Sequence, residues 1–144
     1  MAGFADSVAA YGEDVKAGLS EWTRQTIFEV GRRVIARSPI DTGRFVSNWN
    51  YSLMTPDRGT TERVDIRTVN YLEDIPTESI GFIHYITNAL PYGPALERGH
   101  SGQAPQGMVA LTQLEMPQIA REAAKSAIVL GGLARATREV RNGQ

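Results

Sequence analysis

The chain has no cysteine among its 144 residues, which excludes disulfide bonds, thiolate metal sites and cysteine nucleophiles. It has only two histidines, His84 and His100, so side chains that exchange protons near neutral pH are scarce. No apolar run approaches the roughly 18 to 20 residues that a membrane-spanning helix needs. The N-terminus has no basic segment before an apolar one, so we expect a protein kept in the aqueous cytoplasm unless another factor carries it out.

Lysine is nearly absent, since Lys16 and Lys125 are the only two, and the formal net charge is -1. Without a surplus of basic residues, a nucleic acid duplex is a poor default partner. Arginine supplies the remaining positive charge and suits packed contacts with protein, although genomic base composition explains that bias equally well. The hydrophobic fraction of 42% and the charged fraction of 22% are typical of one globular domain.

A long amphipathic helix is predicted over residues 13–37, because apolar side chains recur there at steps of three, four and five. Phe28 and Ile35 lie off that stripe, so the helix has a second apolar surface. Either a small core wraps both sides or a second partner covers one of them. Residues 3–11 form a short helix of their own or continue this one. The stripe comprises Val15, Leu19, Trp22, Thr26, Ile27, Val30 and Val34.

Two strands are predicted after the turn at residues 38–43. Residues 45–53 alternate and concentrate aromatic side chains on one side, which places Trp49 in the core or at an interface. Residues 80–87 are rich in β-branched and aromatic side chains and are predicted to form a central strand. Between the two, residues 54–61 are predicted to be a loop, and the following segment a short edge strand or a connection with one helical turn.

A second helix is predicted over residues 106–130, and Pro117 must kink or split it because proline lacks the N–H and clashes with the preceding turn. Gly131 and Gly132 are predicted to end it. The fold class is therefore α+β, an antiparallel sheet packed against a long N-terminal helix and this kinked or split C-terminal helix. Residues 1–132 form the single domain, and residues 133–144 are a polar C-terminal tail.

The histidines do not predict an active site. His84 lies on a predicted strand, where a ring bonded to a backbone group is the favoured interpretation. His100 and Ser101 resemble half of a hydrolytic site, but the sequence has no G-x-S-x-G elbow and no identifiable third member. A small hydrolase using these two residues remains an alternative hypothesis, and the prediction is that the protein is not an enzyme.

Acidic residues cluster in the segment after the first strand. Their oxygens could bind a divalent cation, but neither the D-x-D-x-D-G spacing nor an H-E-x-x-H helix is present. A solvated acidic face is the favoured interpretation, and no metal or cofactor is predicted. The cluster consists of Asp65, Glu73, Asp74 and Glu78.

Two groups of arginines are the basic patches of the chain. Each could contact a phosphate backbone, which leaves a DNA-contacting accessory protein as a second alternative, tested by the salt dependence of binding. An acidic surface of a partner protein, or the dipole at the end of the first helix, explains the first group equally well. The groups are Arg32, Arg33 and Arg37 on the first helix, and Arg135, Arg138 and Arg141 in the tail.

Two segments together resemble a known family. "SPIDTGRFVSNW" (38–49) and "YITNALPYGPALERGHSGQAPQGMVALT" (85–112) are similar to the two signatures of the bacteriophage tail-completion and head–tail joining proteins, the family of the lambda minor tail protein Z. In that family a long helix ends at Ser-Pro-x-Asp-Thr-Gly, and Gln-Ala-Pro-x-Gly-Met opens the last helix. The chain departs from the pattern at Gly93, where alanine is common, and at Pro117.

The resemblance implies a structural virion protein, assembled in the host bacterial cytoplasm, at the head-proximal end of a tail or in the neck. It implies a ring of identical subunits, six-fold in preference, that contacts neighbouring neck, connector and tail-tube or tail-terminator proteins. Contact with genome DNA in the lumen would be non-specific, and no membrane is involved. The implied interface or structural residues are Asp41, Thr42, Gly43, Arg44, Trp49, Asn88, Pro91, Tyr92, Leu96, Glu97, Gly99, Ser101, Pro105, Gly107 and Met108.

Within that picture, residues 88–108, called the connector here, link the central strand to the last helix. We expect Pro91 to begin a short helical turn that Asn88 caps, and Gly99 to end it. Met108, followed by Leu111, is then predicted to enter the core beside Trp49, so that Trp49 and Met108 share one buried cluster.

Overall fold

The computed structural model describes the backbone of residues 3–64 and 71–142. Two long helices and six short segments make up the described part of the fold. In chain order they are helix α1 (Phe4–Arg37), a 3-10 turn (Val46–Asn48), strand β1 (Asn50–Leu53), helix α2 (Tyr71–Asp74), strand β2 (His84–Thr87), helix α3 (Gly93–Glu97), helix α4 (Val109–Leu114) and helix α5 (Met116–Asn142).

The predicted α+β class is confirmed. Strands β1 and β2 form a two-stranded antiparallel sheet in which Asn50 pairs with Thr87 and Leu53 pairs with His84. A two-stranded sheet is marginally stable alone, so it depends on what covers it. Tyr51 and Ile86, directly opposite each other, both pack on the buried core. The sheet is therefore held by its contact with the core beneath it.

One core cluster organises the domain, and the predicted pairing of Trp49 with Met108 inside it is confirmed. Met108 is fully buried and Trp49 is 8% exposed. Helix α1 supplies one buried member, and the turn before β1 and the connector supply most of the others. The core cluster consists of Val34, Phe45, Trp49, Ile75, Leu90, Ala104 and Met108.

Helix α1 runs without interruption over 34 residues, so Gly12 does not break it. A glycine inside a helix costs only about 1 kcal/mol relative to alanine, which its neighbours can offset. At the other end the Ser38 N–H donates to the Ile35 carbonyl, and the helix stops just before Pro39 as predicted. The N-terminal segment thus continues the main helix.

Both apolar surfaces of α1 face the domain in its C-terminal half. Ile27 and Val30 from the main stripe, and Phe28 and Ile35 from outside it, all pack against the core cluster. The alternative of a small core that wraps both sides of the helix therefore holds for this half. Its N-terminal half differs, because the apolar side chains of the stripe there are exposed.

The first strand is shorter than predicted, because residues 45–49 form a helical turn instead. The Ser47 N–H donates to the Gly43 carbonyl, and the Asn48 amide group donates to the Arg44 and Thr61 carbonyls at 2.7 and 3.0 Å. Short polar side chains that bond nearby backbone in this way compete with strand formation. The alternating pattern across residues 45–49 was therefore misleading.

The second strand also begins later than predicted, at His84. Gly81 has a φ of 83°, a left-handed conformation that no regular strand contains, and it lies in a turn. Phe82 and Ile83, which the pattern placed inside the strand, are 45% and 56% exposed. The β-branched and aromatic composition of residues 80–83 did not outweigh this glycine.

The predicted break near Pro117 is confirmed, and it splits the helix in two. Helix α4 ends at Leu114, α5 begins at Met116, and Pro117 is the second residue of α5. Proline is tolerated there because first-turn N–H groups have no partner within the helix. The Gln118 and Ile119 N–H groups both donate to the Glu115 carbonyl at 2.9 Å, which starts the new helix at the junction.

The predicted end of the second helix at Gly131 and Gly132 is wrong, because α5 continues to Asn142. Two adjacent glycines weaken a helix without terminating it when helix-forming residues flank them, and alanine and leucine do so here. A bilayer-spanning helix needs about 20 mostly apolar residues, and within residues 3–64 and 71–142 neither long helix offers such a stretch.

Candidate functional site

The connector is tied to the first signature segment at its start. The Asn88 side chain donates to the Phe45 carbonyl at 2.8 Å and accepts from the Leu90 N–H at 3.2 Å. The prediction that Asn88 caps α3 is therefore wrong. Its side chain instead joins the end of β2 to the turn before β1. The cause is position: Leu90 is buried in the core cluster, which keeps Asn88 next to Phe45.

Helix α3 begins at Gly93, later than predicted, and Pro91 lies before it. The Gly93 N–H donates to the Leu90 carbonyl at 2.9 Å, which makes Pro91 the second residue of a β-turn. Proline suits that position because its fixed φ matches the turn. Pro94 is the proline of the first helical turn, and Tyr92 is the residue that precedes the helix.

Glu97 at the end of α3 is the polar centre of the connector. Its carboxylate accepts three backbone hydrogen bonds at the N-terminus of α4, from Met108 at 2.9 Å, Val109 at 3.0 Å and Ala110 at 2.8 Å. Burial alone would raise the pKa of the carboxyl, but the three N–H donors outweigh it and the pKa lies below its usual value. Glu97 thus caps a helix that starts twelve residues later, at Val109.

Two glycines allow the connector to fold onto itself. Gly99 has a φ of 87°, as expected for the residue that ends α3, and a Cβ there would overlap the Pro105 carbonyl oxygen. Gly107 has a φ of 81°, and a Cβ there would lie 2.6 Å from the Glu97 carbonyl oxygen. Both positions therefore require glycine for conformation and for space.

Gln103 fastens the connector to the turn at the end of α1. Its side chain accepts from the Ile40 N–H at 2.9 Å and donates to the Ile40 carbonyl at 3.1 Å, so one amide group pairs with both backbone groups of a single residue. The Ser101 hydroxyl accepts from the Gln103 N–H at 3.2 Å and shapes this bend. Sequence reasoning did not single out Gln103, and its only signal was its place as the first residue of the Gln-Ala-Pro-x-Gly-Met motif.

The first signature segment is a turn built by Thr42 and Gly43. Gly43 has a φ of 86°, which confirms the expected glycine turn, and the Thr42 hydroxyl accepts from the Arg44 N–H at 3.3 Å. In the described contacts Thr42, rather than Asp41, caps the backbone there. Asp41 is exposed, and the Arg44 guanidinium pairs with Glu62.

Aromatic side chains join the two signature segments. The Trp49 indole N–H donates to the Ser38 hydroxyl at 2.8 Å, which satisfies a buried polar group. The Phe45 ring contacts Trp49 edge-on at a centroid distance of 5.8 Å and Tyr92 at 5.9 Å. Leu96 packs against the core cluster below them. Tyr92 remains 38% exposed, so this aromatic group extends from the core to the surface.

The first basic patch is neutralised inside the chain. The Arg33 guanidinium contacts Glu29 at 3.0 Å, Glu115 at 2.5 Å and Glu122 at 3.1 Å, and Arg32 pairs with Glu29 at 2.6 Å. The hydrogen bond to Glu115, followed by that to Glu29, raises the pKa of Arg33. These positive charges are therefore shared with carboxylates of the same chain.

Arg37 completes this network at the junction of α4 and α5. Its guanidinium contacts Glu115 at 2.5 Å and donates to the Thr112 hydroxyl at 2.8 Å. The hydrogen bond from Arg37, then that from Arg33, lowers the pKa of the Glu115 carboxyl. The predicted second patch, Arg135, Arg138 and Arg141, lies on α5, but its side chains fall outside the described part of the structure.

The described contacts do not join the candidate catalytic residues into a site. His84 is satisfied as predicted, with Nε2 2.8 Å from the Ser79 carbonyl and Nδ1 2.8 Å from the Tyr51 hydroxyl. His100 is exposed, and no hydrogen bond joins its ring to Ser101 in the described part of the chain. The geometry there supplies no acid–base pair.

The predicted acidic face is partly described. Glu73, Asp74 and Glu78 are exposed, and Asp65 lies outside the described residues. Among residues 3–64 and 71–142, no group of three or more histidine or carboxylate side chains converges as a metal site would require. The acidic side chains that are described face solvent.

Comparison with family models, with curated protein sequences and with solved structures finds no match to this chain.

Proposed function

We propose that this protein is a structural virion protein of a tailed bacteriophage. It forms a ring of identical subunits at the head-proximal end of the tail or in the neck and joins the tail to the head during assembly. The observation that carries the proposal is the packing of the two family-like segments against each other. Asn88 and Gln103 tie the connector to the backbone of residues 40–45, so both segments belong to one rigid unit.

The form of this unit supports a role in binding other proteins. Its glycines and the Glu97 cap hold the backbone in one conformation, so little conformational entropy is lost when a partner binds. Apolar side chains extend from it to the surface, with Ile40 48%, Tyr92 38% and Val109 46% exposed. Rigid, partly aromatic surfaces of this kind are typical of protein interfaces.

A ring imposes a further requirement that this chain meets. In a closed ring each subunit presents two different surfaces, one to each neighbour. The connector presents one apolar surface, and the exposed apolar side chains at the start of α1 and on α5 supply others. A monomer has no evident need for so many exposed large apolar residues on separate elements.

The two alternative functions have weaker support. Arg33 and Arg37 are paired with carboxylates of the same chain, which reduces their attraction for a phosphate backbone. His100 and Ser101 lie side by side in sequence without an acid–base contact in the described structure. Neither observation favours DNA binding or hydrolysis over assembly.

The proposal is tested by deleting the gene from a phage that encodes this chain. The expected result is separate heads and tails with no infectious particles, and recovery of infectivity when the chain is supplied from a plasmid. Cryo-electron microscopy of recovered particles should show the chain as a ring in the neck or at the tail end. Infectious, intact particles without the gene would contradict the proposal.

A point variant sharpens the same test at the connector. Tyr92→Asp places a charge on the exposed aromatic surface and should reduce recovery of infectivity, while Thr77→Asp, at an exposed position away from the connector, should recover it fully. Both purified variants should be folded, with a lower unfolding midpoint for Tyr92→Asp because it loses the ring contact with Phe45. Equal recovery by the two variants would exclude Tyr92 from the assembly contact.

A further inference from the structure

Strand β2 is hydrogen-bonded on one side only. The Met54 N–H donates to the Ile83 carbonyl at 2.8 Å and extends the ladder by one pair. Backbone groups in an antiparallel pair face the partner strand at every second residue, so those of His84 and Ile86 point away from β1. In the described part of the chain, no hydrogen bond reaches the backbone N–H or C=O of either residue. These four groups, called the open β2 edge here, are available to pair with another strand.

The open β2 edge has none of the features that usually prevent strand pairing. Natural edge strands are blocked by charged side chains, by proline or by a bulge. Residues 80–88 contain no Lys, Arg, Asp, Glu or Pro, and β2 pairs with β1 without a bulge. Phe82 and Ile83, which precede the strand, are 45 and 56% exposed. The composition that predicted a central strand therefore belongs to a strand that has a described partner on one side only.

Strand β1 does not offer an equivalent edge. The Leu53 carbonyl accepts from the Thr55 N–H at 2.8 Å, and Met54, with a φ of 65°, turns the chain out of the strand direction. The Asn50 side chain also holds the following loop, since it donates to the Gly59 carbonyl at 2.8 Å. A continuous sheet in which β2 of one copy pairs with β1 of the next is therefore disfavoured.

The open β2 edge matches the same edge of a second copy. When two copies lie antiparallel about a two-fold axis at Tyr85, His84 of each copy is opposite Ile86 of the other. Both residue pairs then exchange N–H···O=C bonds, so every group of both open edges finds a partner. Tyr85 faces itself across the axis, where aromatic cross-strand pairs are favourable. A strand from a different protein would satisfy one such edge, whereas a second copy satisfies two with a single contact.

We propose that two copies of this chain pair through their open β2 edges and form one antiparallel sheet of four strands. A two-stranded sheet is marginally stable, and further strands stabilise it. Phe82 and Ile83 of each copy lie beside the end of the other copy's β2, which covers apolar side chains that the single chain exposes. This contact goes beyond the proposed ring and does not depend on it, because a two-fold contact joins identical surfaces and a ring contact joins different ones.

Residue 85 provides a charge-exchange test, because the two-fold axis places it opposite itself. Tyr85→Lys and Tyr85→Glu each set like charges directly opposite one another, which destabilises a strand pair. Sedimentation velocity should show a dimer of the original chain and a rise of about tenfold or more in the dissociation constant of each variant. An equimolar mixture of the two variants should recover the dimer, because lysine then faces glutamate. Tyr11→Lys, a matched change at an exposed position on α1, should dimerise as the original chain does.

Two results would overturn the pairing in this experiment. One is a mixture that stays monomeric although circular dichroism shows both variants to be folded. The other is an original chain that stays monomeric at every concentration. Infectious particles that lack the gene, together with recovery of the dimer by mixing, would support the pairing and reject the virion role, so the two proposals fail separately.

Amide hydrogen exchange measured by NMR tests the same contact without a substitution. The N–H groups of His84 and Ile86 should exchange at least about tenfold more slowly at concentrations where the dimer forms than in dilute solution. Those of Tyr85 and Thr87, which face β1, should be protected at both concentrations. Exchange at His84 and Ile86 that does not change with concentration would overturn the proposal even if the Tyr85 variants fail to fold.

Discussion

Replacing Glu97 by glutamine tests how far one carboxylate holds the connector to α4. The amide keeps one accepting oxygen, so it cannot reproduce three hydrogen bonds from Met108, Val109 and Ala110. Helix caps and charged hydrogen bonds contribute roughly 1–2 kcal/mol each, and a loss of about that size is expected in urea unfolding at pH 7. Glu78→Gln, at an exposed position, should leave the unfolding free energy unchanged.

The same substitution should change how stability depends on pH. The pKa of the Glu97 carboxyl is lowered in the folded chain relative to the ordinary 4.5, so its contribution is complete above about pH 4.5 and is lost as the pH falls through the lower folded value. The difference in unfolding free energy between the original chain and Glu97→Gln should therefore shrink as the pH falls below 4.5. A constant difference down to pH 3 would contradict the role of the charge.

Gly99 tests the conformation of the connector. Alanine there meets both an unfavourable positive φ and the Pro105 carbonyl oxygen, so Gly99→Ala should destabilise the chain by about 1–3 kcal/mol. Gly102 is the matched control, because a Cβ at this exposed position meets nothing within 4 Å. Equal losses of unfolding free energy for Gly102→Ala and Gly99→Ala in urea would contradict the close contact between residue 99 and the Pro105 carbonyl oxygen.

At the residue scale, local rules predicted what depends on nearby chain. Gly43 and Gly99 were expected at turns, and Trp49 and Met108 in one cluster, and the structure confirms these placements. The Glu97 cap was not predictable by the same rules. A capping side chain is normally sought next to its helix, whereas this one precedes α4 by a full loop, and only tertiary packing brings the two together.

Helices and strands were predicted well where the apolar repeat extends over many residues, and poorly where only a few residues carry it. Helix α1, its stop before Pro39 and the break near Pro117 follow from steric rules that tertiary contacts rarely override. The strand over residues 45–53 was wrong in its first half, because the hydrogen bonds of Asn48 stabilise a turn there. The end at Gly131 was wrong because glycine only weakens a helix.

The junction of α4 and α5 depends on the carboxylate of Glu115, which both Arg33 and Arg37 contact at 2.5 Å. Glu115→Gln removes this charge and should lower the thermal midpoint, with a smaller effect at high salt because salt screens ion pairs. Glu122→Gln removes a pair to Arg33 alone and should have the smaller effect. A larger drop in the thermal midpoint for Glu122→Gln than for Glu115→Gln would contradict this ranking.

At the scale of the whole molecule, one set of apolar residues packs in the core cluster and another stays exposed. The core cluster lies between Val34 and Met108 in sequence, and it is compact enough to hold the sheet, the connector and half of α1. Large apolar side chains in the first half of α1, and Ile128, Val129 and Leu130 on α5, lie outside it and stay exposed. The sequence pattern indicated that α1 has more apolar surface than one core needs, but not which half the core covers, because that depends on where the short strands pack.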